Sequence, residues 1–196
     1  MSEPIHQFTA TVPIWSPYVT PVDLATATPE QLAAMKVTPS NKGVSPYVLT
    51  LAHDPESLEV RSPLFNLIMY GKDGLPSAER ELGAVGASIV NRCIYCAAVH
   101  ASRFIGLTGR NDVIETIFTD ERHATLEARY QALFNFAVKL STTPVEASTD
   151  DARALADSGM SELEQLDLVL SAAIFGWANR LMHSLGEPRA CTHGPQ

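Results

Sequence analysis

The stretch of sequence that decides the fold runs from Glu81 to His100 and reads ELGAVGASIVNRCIYCAAVH. Cys93 and Cys96 lie three residues apart, and His100 follows the second cysteine by four residues. An apolar stripe with steps of three and four residues, the period of a helix face, runs through this stretch. Its members are Leu82, Val85, Ile89, Cys93, Cys96, His100 and Phe104. Both thiols and the imidazole are therefore predicted on a buried helical face, with Cys96 and His100 one turn apart.

The rest of the chain reads as helices joined by short connections, and no segment shows the alternating pattern of a strand. Helix starts are predicted near Thr28, Ser62, Ser77, Asn111, Leu126, Asp151 and Ser161. Two of these starts match the capping box, in which a serine or threonine is followed three residues later by glutamate or glutamine. The predicted fold class is all-α.

Proline content and helix signals divide the chain into three parts. Seven of the 13 prolines fall in the first 50 residues, so residues 1–55 are predicted to form an extended arm with one short helix. Residues 56–190 are predicted to form an all-α domain, and residues 191–196 a tail. The last helix carries an apolar stripe that suits either a core or a subunit interface. The stripe consists of Leu163, Leu166, Leu170, Ile174, Trp177, Leu181 and Leu185.

Composition and charge exclude several classes of protein. The 196 residues are 45% hydrophobic and 18% charged, which is typical of a globular chain. A net charge of -8 argues against nucleic-acid and anionic-membrane partners, because both require a basic surface. No apolar run approaches the roughly 20 residues that span a bilayer, and the first residues do not resemble a secretory signal. We therefore expect a cytoplasmic protein, in which a Cys-x-x-Cys pair is catalytic or metal-binding more often than structural.

The chemistry of Cys93 and Cys96 admits three interpretations. A thiol beside a base becomes a nucleophile, and a second thiol three residues away can trap its oxidised form as a disulfide. In the second interpretation, the two cysteines are simply small apolar residues of the core. A zinc site would need a fourth ligand, for which the distant Cys191 and His193 are weak candidates. Redox chemistry without a metal is the favoured interpretation.

The stretch Glu81–His100 resembles the core motif of alkylhydroperoxidase D (AhpD), a branch of the carboxymuconolactone decarboxylase superfamily. The shared features are a glutamate 12 residues before the first cysteine, the Cys-x-x-Cys, and a histidine four residues after it. Other stretches resemble the uncharacterised peroxidase-related branch of this superfamily. They are Ser45-Pro46-Tyr47, Leu64-Phe65-Asn66, Phe136–Leu140 and Trp177–Leu181. The resemblance covers most of the chain after about residue 20 and implies a helical AhpD-like fold with an extended proline-rich N-terminal arm.

The resemblance also implies a function, that of a peroxiredoxin-type oxidoreductase. Cys96 would attack a hydroperoxide, Cys93 would resolve the sulfenic acid as a disulfide, and His100 and Glu81 would form a proton relay. It implies no bound cofactor, a dithiol reductant such as a lipoyl-bearing protein, and a homo-oligomer. Two alternatives remain: a redox-sensing or disulfide-exchange module without efficient peroxide turnover, and a lactone decarboxylase-like enzyme. The intact Cys-x-x-Cys counts against the second of these.

Two positions depart from the motif of the family. Tyr95 replaces a histidine between the cysteines; its hydroxyl cannot act as a base near neutral pH but can orient a substrate. Arg92 replaces the glycine that usually precedes the first cysteine. We interpret the Arg92 side chain as pointing to solvent, where it has no effect on the thiols.

The position of Glu81 constrains the backbone. On one straight helix it would lie about 22 Å from Cys96, too far to share a site. Either the helix breaks near Asn91 and folds back, or Glu81 serves the site of a neighbouring subunit. We favour a break with Asn91 as the N-cap of a new helix, because the free N–H groups and dipole of its first turn would stabilise a thiolate.

Overall fold

Helices account for most of the chain. The computed structural model describes residues 2–35 and 43–191. The helices in these ranges are α1 (Pro29–Met35), α2 (Pro46–Leu51), α3 (Pro55–Tyr70), α4 (Ser77–Val90), α5 (Ile94–Thr108), α6 (Asn111–Asp120), α7 (Ala128–Ser141), α8 (Thr149–Asp157) and α9 (Glu162–Leu185). A short 3-10 turn, Glu121–His123, follows α6. The predicted all-α fold class is confirmed.

Two short strands, β1 (Ile14–Pro17) and β2 (Gly186–Arg189), form an antiparallel pair. The expectation of no strands is wrong here, because strands of four residues that each contain a proline show no alternating pattern. Trp15 of β1 is 3% exposed, and its indole N–H donates to the carbonyl of Met182 at 3.3 Å. A Cβ at Gly186 would lie 2.5 Å from the Trp15 ring, so glycine is required for this approach. The strand pair thus fastens the N-terminal segment to the end of α9.

The N-terminal segment holds two short helices where one was predicted. The capping box of α1 is confirmed, since the Gln31 N–H donates to the Thr28 hydroxyl and the Thr28 N–H donates to the Gln31 side chain. The additional helix, α2, begins where the Val48 N–H donates to the Ser45 hydroxyl at 3.3 Å. A serine followed by proline is a helix start and not only a break. The boundary at residues 55 and 56 stays a prediction, and residues 192–196 of the predicted tail lie outside the described ranges.

Helix α3 begins at Pro55, earlier than the predicted start at Ser62. Asp54 caps it, because its carboxylate accepts the Ser57 N–H at 3.1 Å. Pro63 lies inside the helix, where it removes a single backbone donor while the turns on both sides remain. The helix therefore begins at Asp54-Pro55 and continues through Ser62-Pro63, where the sequence had predicted its start.

Helix α4 lies at the centre of the fold, and every residue from 79 to 89 is buried. Helices α5, α7 and α9 pack around it. Two glycines permit this close packing: a Cβ at Gly86 would lie 2.9 Å from the Ala137 Cβ, and one at Gly83 would lie 2.9 Å from the Ser171 Oγ. A helix surrounded in this way holds its polar side chains away from water, and Glu81 is one of them.

Four of the seven residues of the apolar stripe of α9 are exposed. Leu163, Leu166, Leu170 and Trp177 are each exposed by 38% or more. The buried face of the helix is instead formed by Leu168, Ser171, Ala172, Phe175, Ala178, Asn179 and Met182. Among the described helices, none combines the length and apolar character needed to cross a membrane. Ile174 and Leu185 of the stripe pack against the core, so the stripe serves the core in part and leaves the four exposed residues on the surface.

Candidate active site

The two cysteines lie at the corner where α4 ends and α5 begins. Asn91 is the C-cap of α4, and the Arg92 N–H donates to the Ile89 carbonyl at 3.2 Å. The Cys93 N–H donates to the Ser88 carbonyl at 2.9 Å. These two bonds are those of a Schellman motif, which ends a helix and turns the chain. The predicted break near Asn91 is confirmed, but Asn91 ends the first helix and does not cap the second.

Arg92 occupies the left-handed position of this motif, with φ of 57°. Glycine adopts that conformation without strain, which explains the glycine of the family pattern. The Arg92 guanidinium pairs with Glu121 at 2.6 Å and lies 4.7 Å from the centre of the Phe8 ring. Its side chain is 52% exposed, so the predicted outward orientation is confirmed.

Glu81 and His100 meet in the interior, although 19 residues separate them. The Nδ1 of His100 shares a short hydrogen bond with the Glu81 carboxylate, and both side chains are 5% exposed or less. The His100 ring also contacts the Phe175 ring edge-on, with 4.2 Å between centroids. On the other carboxylate oxygen, the Arg103 guanidinium lies 3.9 Å away. Since α4 and α5 belong to the same chain, a neighbouring subunit is not needed to bring Glu81 to His100.

The thiols of Cys93 and Cys96 are both free and buried. Cys93 is the N-cap of α5, and its sulfur makes no regular capping hydrogen bond. A hydrogen bond from the Cys96 thiol, with a smaller effect of the Cys96 backbone N–H, lowers the pKa of Cys93. The same thiol contact, together with burial, raises the pKa of Cys96. The hydrogen bond between the two thiols thus shifts their pKa values in opposite directions and does not favour the thiolate on Cys96, to which the interpretation of the sequence assigned the activated thiol.

Asn179 of α9 connects the corner to the thiols. It is fully buried, donates to the Ser88 hydroxyl at 3.2 Å and accepts from the Asn91 amide at 3.2 Å. Its hydrogen bonding to the sulfurs also acts to lower the pKa of both Cys93 and Cys96. The amide thus holds the α4–α5 corner against α9 and places a polar group beside the thiols.

A cavity of about 240 Å³ opens onto Cys96 and His100. Cys93 and Glu81 do not line this cavity and lie behind Cys96 and His100. The other lining residues are Ser45, Tyr47, Val48, Arg61, Phe65, Tyr70, Tyr95, Val99, Arg103, Phe175, Ala178 and Met182. Burial raises the pKa of Tyr95, which keeps its hydroxyl neutral, as expected for a group that does not act as a base. The arrangement presents one thiol and one imidazole to a ligand from a largely apolar wall.

The sequence did not identify four residues of this site, Tyr47, Arg61, Arg103 and Asn179. Asn179 carried a usable signal, because a polar residue lies there in phase with the buried residues Phe175 and Met182. Arg103 lies on α5 seven residues after Cys96, so helix periodicity could have placed it on the same face. Tyr47 and Arg61 come from α2 and α3, and their approach to Cys96 depends on tertiary packing.

The geometry of a zinc site is not found in the described ranges, where no three histidine, cysteine, aspartate or glutamate side chains converge. Cys191 is exposed, and its sulfur lies 3.7 Å from the Val12 carbonyl oxygen. His193, the other distant candidate, lies outside the described residues.

Comparison with known proteins gives a consistent result. A sequence model of the carboxymuconolactone decarboxylase family matches residues 55–139. The chain is 26% identical to the alkylhydroperoxidase AhpD core of an uncharacterised peroxidase-related protein from Ralstonia eutropha JMP134, with a TM-score of 0.75 over 90% of this chain and 93% of that chain. An uncharacterised peroxidase-related protein from Silicibacter sp. TM1040 is 24% identical, with a TM-score of 0.74 over 99% and 98% of the chains. The debrominase Bmp8 is 21% identical, with a TM-score of 0.71 over 85% and 89% of the chains. No curated protein sequence matches significantly.

The fold and the site together define the class: an AhpD-like helical protein that buries a Cys-x-x-Cys pair beside a glutamate–histidine pair. The family model over residues 55–139 and the likeness to the AhpD core protein confirm the resemblance to the alkylhydroperoxidase D and carboxymuconolactone decarboxylase superfamily that was seen in the sequence. The likeness to the debrominase and to the Silicibacter protein concerns the fold alone.

Proposed function

We propose that the protein is a thiol-dependent peroxidase that reduces hydroperoxides through Cys93 and Cys96. The observation that carries the proposal is the junction of α4 and α5, which brings Glu81 onto His100 behind a cavity that Cys96 also lines. A buried carboxylate beside an imidazole fixes the tautomer of the ring and stabilises its charged form. A peroxide in the cavity would therefore meet a sulfur nucleophile and a proton donor together.

Access to the cavity, and not the acidity of the thiols, supports Cys96 as the nucleophile. When Cys93 is ionised and Cys96 carries the proton, the hydrogen bond between them is a path along which Cys96 loses that proton to Cys93. Cys96 lines the cavity, so it can reach a peroxide oxygen that Cys93 cannot. The titration belongs to the pair and not to either thiol alone.

The reaction proceeds in two steps within the protein. The Cys96 sulfur attacks the terminal oxygen, the O–O bond breaks, and the alkoxide takes a proton from the His100 imidazolium to leave as an alcohol. Cys96 is then a sulfenic acid, and the Cys93 thiol attacks it, releasing water and forming the Cys93–Cys96 disulfide. A dithiol donor then returns two electrons and two protons and becomes a disulfide itself. We propose a dihydrolipoyl group as this donor, in the reducing cytoplasm.

A second candidate is reductive dehalogenation by the same dithiol. The observation in its favour is that a cysteine-to-alanine variant of the debrominase Bmp8, which has the same fold, is found in complex with 2,3,4-tribromopyrrole. The aromatic side chains of Phe65, Phe175 and Tyr95 would suit a planar ring here as well. In such a reaction one thiolate would take bromine from the ring as the C–Br bond breaks, and the ring carbon would take up a proton. The second thiol would then attack the sulfur that carries bromine, forming the disulfide and releasing bromide and a proton.

We also propose that the protein assembles as a homo-oligomer through the exposed residues of the α9 stripe. Leu163, Leu166, Leu170 and Trp177 recur at helical spacing and expose one continuous apolar face, which marks an interface more often than a free surface. Val60, Leu64 and Leu67 are exposed on α3, which contacts α9, and would extend this face.

The test of the function is consumption of cumene hydroperoxide with dihydrolipoamide as the reductant. We expect turnover by the wild type and by Cys191→Ser, and none by Cys96→Ser. Cys93→Ser should complete one turnover and accumulate a sulfenic acid that dimedone traps. If Cys96→Ser consumes peroxide at the wild-type rate, the proposal is wrong. Formation of one disulfide without turnover would favour a redox sensor, and release of bromide from bromopyrroles without peroxide turnover would favour the dehalogenase.

A further inference from the structure

The cavity wall carries a positive charge that no carboxylate of the described residues neutralises. Arg61 of α3 is half-buried and lines the cavity with Cys96 and His100. Its Nε is buried without a hydrogen-bond partner, and among the described residues no carboxylate lies within 4 Å of its guanidinium. The guanidinium carbon lies 4.3 Å from the centroid of the Phe65 ring. A cation held against an aromatic ring and away from water retains a strong attraction for an anion.

A second unpaired donor lies in the same wall. The hydroxyl of Tyr47 is buried without a hydrogen-bond partner in the described ranges, and this residue also lines the cavity. Burial raises the pKa of Tyr47 far above its ordinary value, so the hydroxyl keeps its proton and remains a donor. Burial also acts on Arg61, whose pKa is lowered, although a guanidinium stays protonated near neutral pH. Buried donors without partners are costly, which makes a ligand that satisfies both favourable.

The other arginine of the cavity differs in this respect. Arg103 donates to the Tyr70 hydroxyl, and its guanidinium lies 3.9 Å from the Glu81 carboxylate. Its charge is therefore partly offset by a group of the site itself. Arg61 is left as the cation that a ligand can pair with.

We propose that the cavity binds small organic anions, with a carboxylate paired to Arg61 and the Tyr47 hydroxyl and an apolar body against Phe65 and Phe175. This inference rests on the proposed function: it names the preferred substrates of the peroxidase as carboxylate-bearing organic hydroperoxides. The hydroperoxide group of such a molecule reaches Cys96 while its charge stays at Arg61. Hydrogen peroxide has neither a charge nor an apolar body and lacks both sets of contacts.

Equilibrium binding tests the anion site without any turnover. The probes are 4-isopropylbenzoate and its neutral amide, measured by titration calorimetry on the reduced full-length protein. We expect the carboxylate to bind about 10- to 100-fold more tightly than the amide, since charge-assisted hydrogen bonds contribute in this range. Arg61→Gln should remove this preference. The matched control, Arg153→Gln, removes an exposed arginine of α8 that pairs with Asp150 and should leave the preference unchanged.

A kinetic comparison connects the site to the reaction. Cumene hydroperoxide and its para-carboxylate derivative differ only in charge. We expect Arg61→Gln to raise KM for the carboxylate about 10- to 100-fold more than it raises KM for cumene hydroperoxide. Arg61→Lys, which keeps the charge without the fork of donors, should recover part of the loss.

The two proposals fail in different ways. Equal binding of benzoate and amide to the wild type, or an unchanged preference in a folded Arg61→Gln protein, would overturn the anion site. A preference for the carboxylate without turnover of either hydroperoxide would retain the anion site and reject the peroxidase. Thermal melts establish that each variant is folded before its binding is measured.

Discussion

Replacement of Glu81 by glutamine removes the charge of the buried carboxylate while keeping its size. The side chains of Glu81 and His100 are 2% and 5% exposed, so neither water nor salt screens their interaction. The amide of Glu81→Gln can still hydrogen bond to the ring, but it does not stabilise an imidazolium and can select the wrong tautomer. Because general acid–base catalysis contributes about 10²- to 10⁴-fold, we expect the rate constant for peroxide reduction to fall by that factor.

The assay is single-turnover oxidation of the reduced protein by cumene hydroperoxide, followed in a stopped-flow instrument. The variant should be folded, with a free energy of unfolding about 1–3 kcal/mol below that of the wild type, because a charge-assisted hydrogen bond is weakened. We therefore expect Glu81→Gln to lose much of its oxidation rate and only a little of its stability. A rate within threefold of the wild type would refute the proposed role of the carboxylate–imidazole pair.

Glu79 provides a matched control two residues away on the same helix. Its carboxylate is also buried, but it accepts two hydrogen bonds from Arg129 at 2.7 and 2.8 Å, away from the cavity. Glu79→Gln should cost a similar 1–3 kcal/mol of stability and leave the oxidation rate unchanged. Equal loss of rate in Glu79→Gln and Glu81→Gln would show that the assay reports damage to α4 and not catalysis.

Three further predictions concern the corner, the thiols and the outer surface. Arg92→Gly should keep the free energy of unfolding within about 1 kcal/mol of the wild type, because relief of the strain at a left-handed position offsets the loss of an exposed ion pair. Arg92→Val should lower the free energy of unfolding by more than about 1 kcal/mol, as measured by urea denaturation. Titration by thiolate absorbance at 240 nm should show a higher pKa of Cys93 in Cys96→Ala and a lower pKa of Cys96 in Cys93→Ala. Each variant removes the thiol–thiol hydrogen bond, which is the largest cause of the shift in the other cysteine. Unchanged titrations would refute this hydrogen bond. Leu166→Glu should convert the oligomer to monomers in sedimentation analysis at unchanged thermal stability, and a wild type that sediments as a monomer would contradict the proposed interface.

The titration prediction carries a consequence for stability. The pKa of Cys93 is lowered in the folded protein, so its thiolate contributes stability above the pKa of an unfolded cysteine. That contribution is lost as the pH falls through the lower folded value. In Cys96→Ala the dependence should flatten over this window, which urea denaturation at several pH values measures.

Some features of the site follow from short-range rules. The capping box of Ser161 and Glu164 begins α9 as predicted, because its hydrogen bonds join residues three positions apart. Cys96 and His100 face one cavity because an i,i+4 pair shares a helix face. The break near Asn91 was the favoured of two predictions, the other being that Glu81 serves a neighbouring subunit, and the structure confirms the break. These features depend on chain geometry within about one or two turns, apart from the resemblance that pointed to Glu81.

Other features depended on contacts between distant segments. The approach of Tyr47 and Arg61 to Cys96 joins three helices, and no periodicity of one helix encodes the order in which such helices pack. The sequence likewise did not show that four residues of the α9 stripe are exposed, because a buried and an exposed apolar face have the same spacing.

The sequence by itself therefore determined most of the helices and the spacing of the two cysteines and His100, and its resemblance to a family pointed to Glu81. The tertiary structure decided which thiol lines the cavity and which charge of the wall is left without a carboxylate among the described residues. The physical reason is the range of the forces. Capping and helix periodicity act between neighbours in the chain, whereas burial and charge compensation depend on every segment that surrounds a group. Arg61 is unpaired only because no carboxylate of another described segment lies beside it, and a linear sequence does not record that.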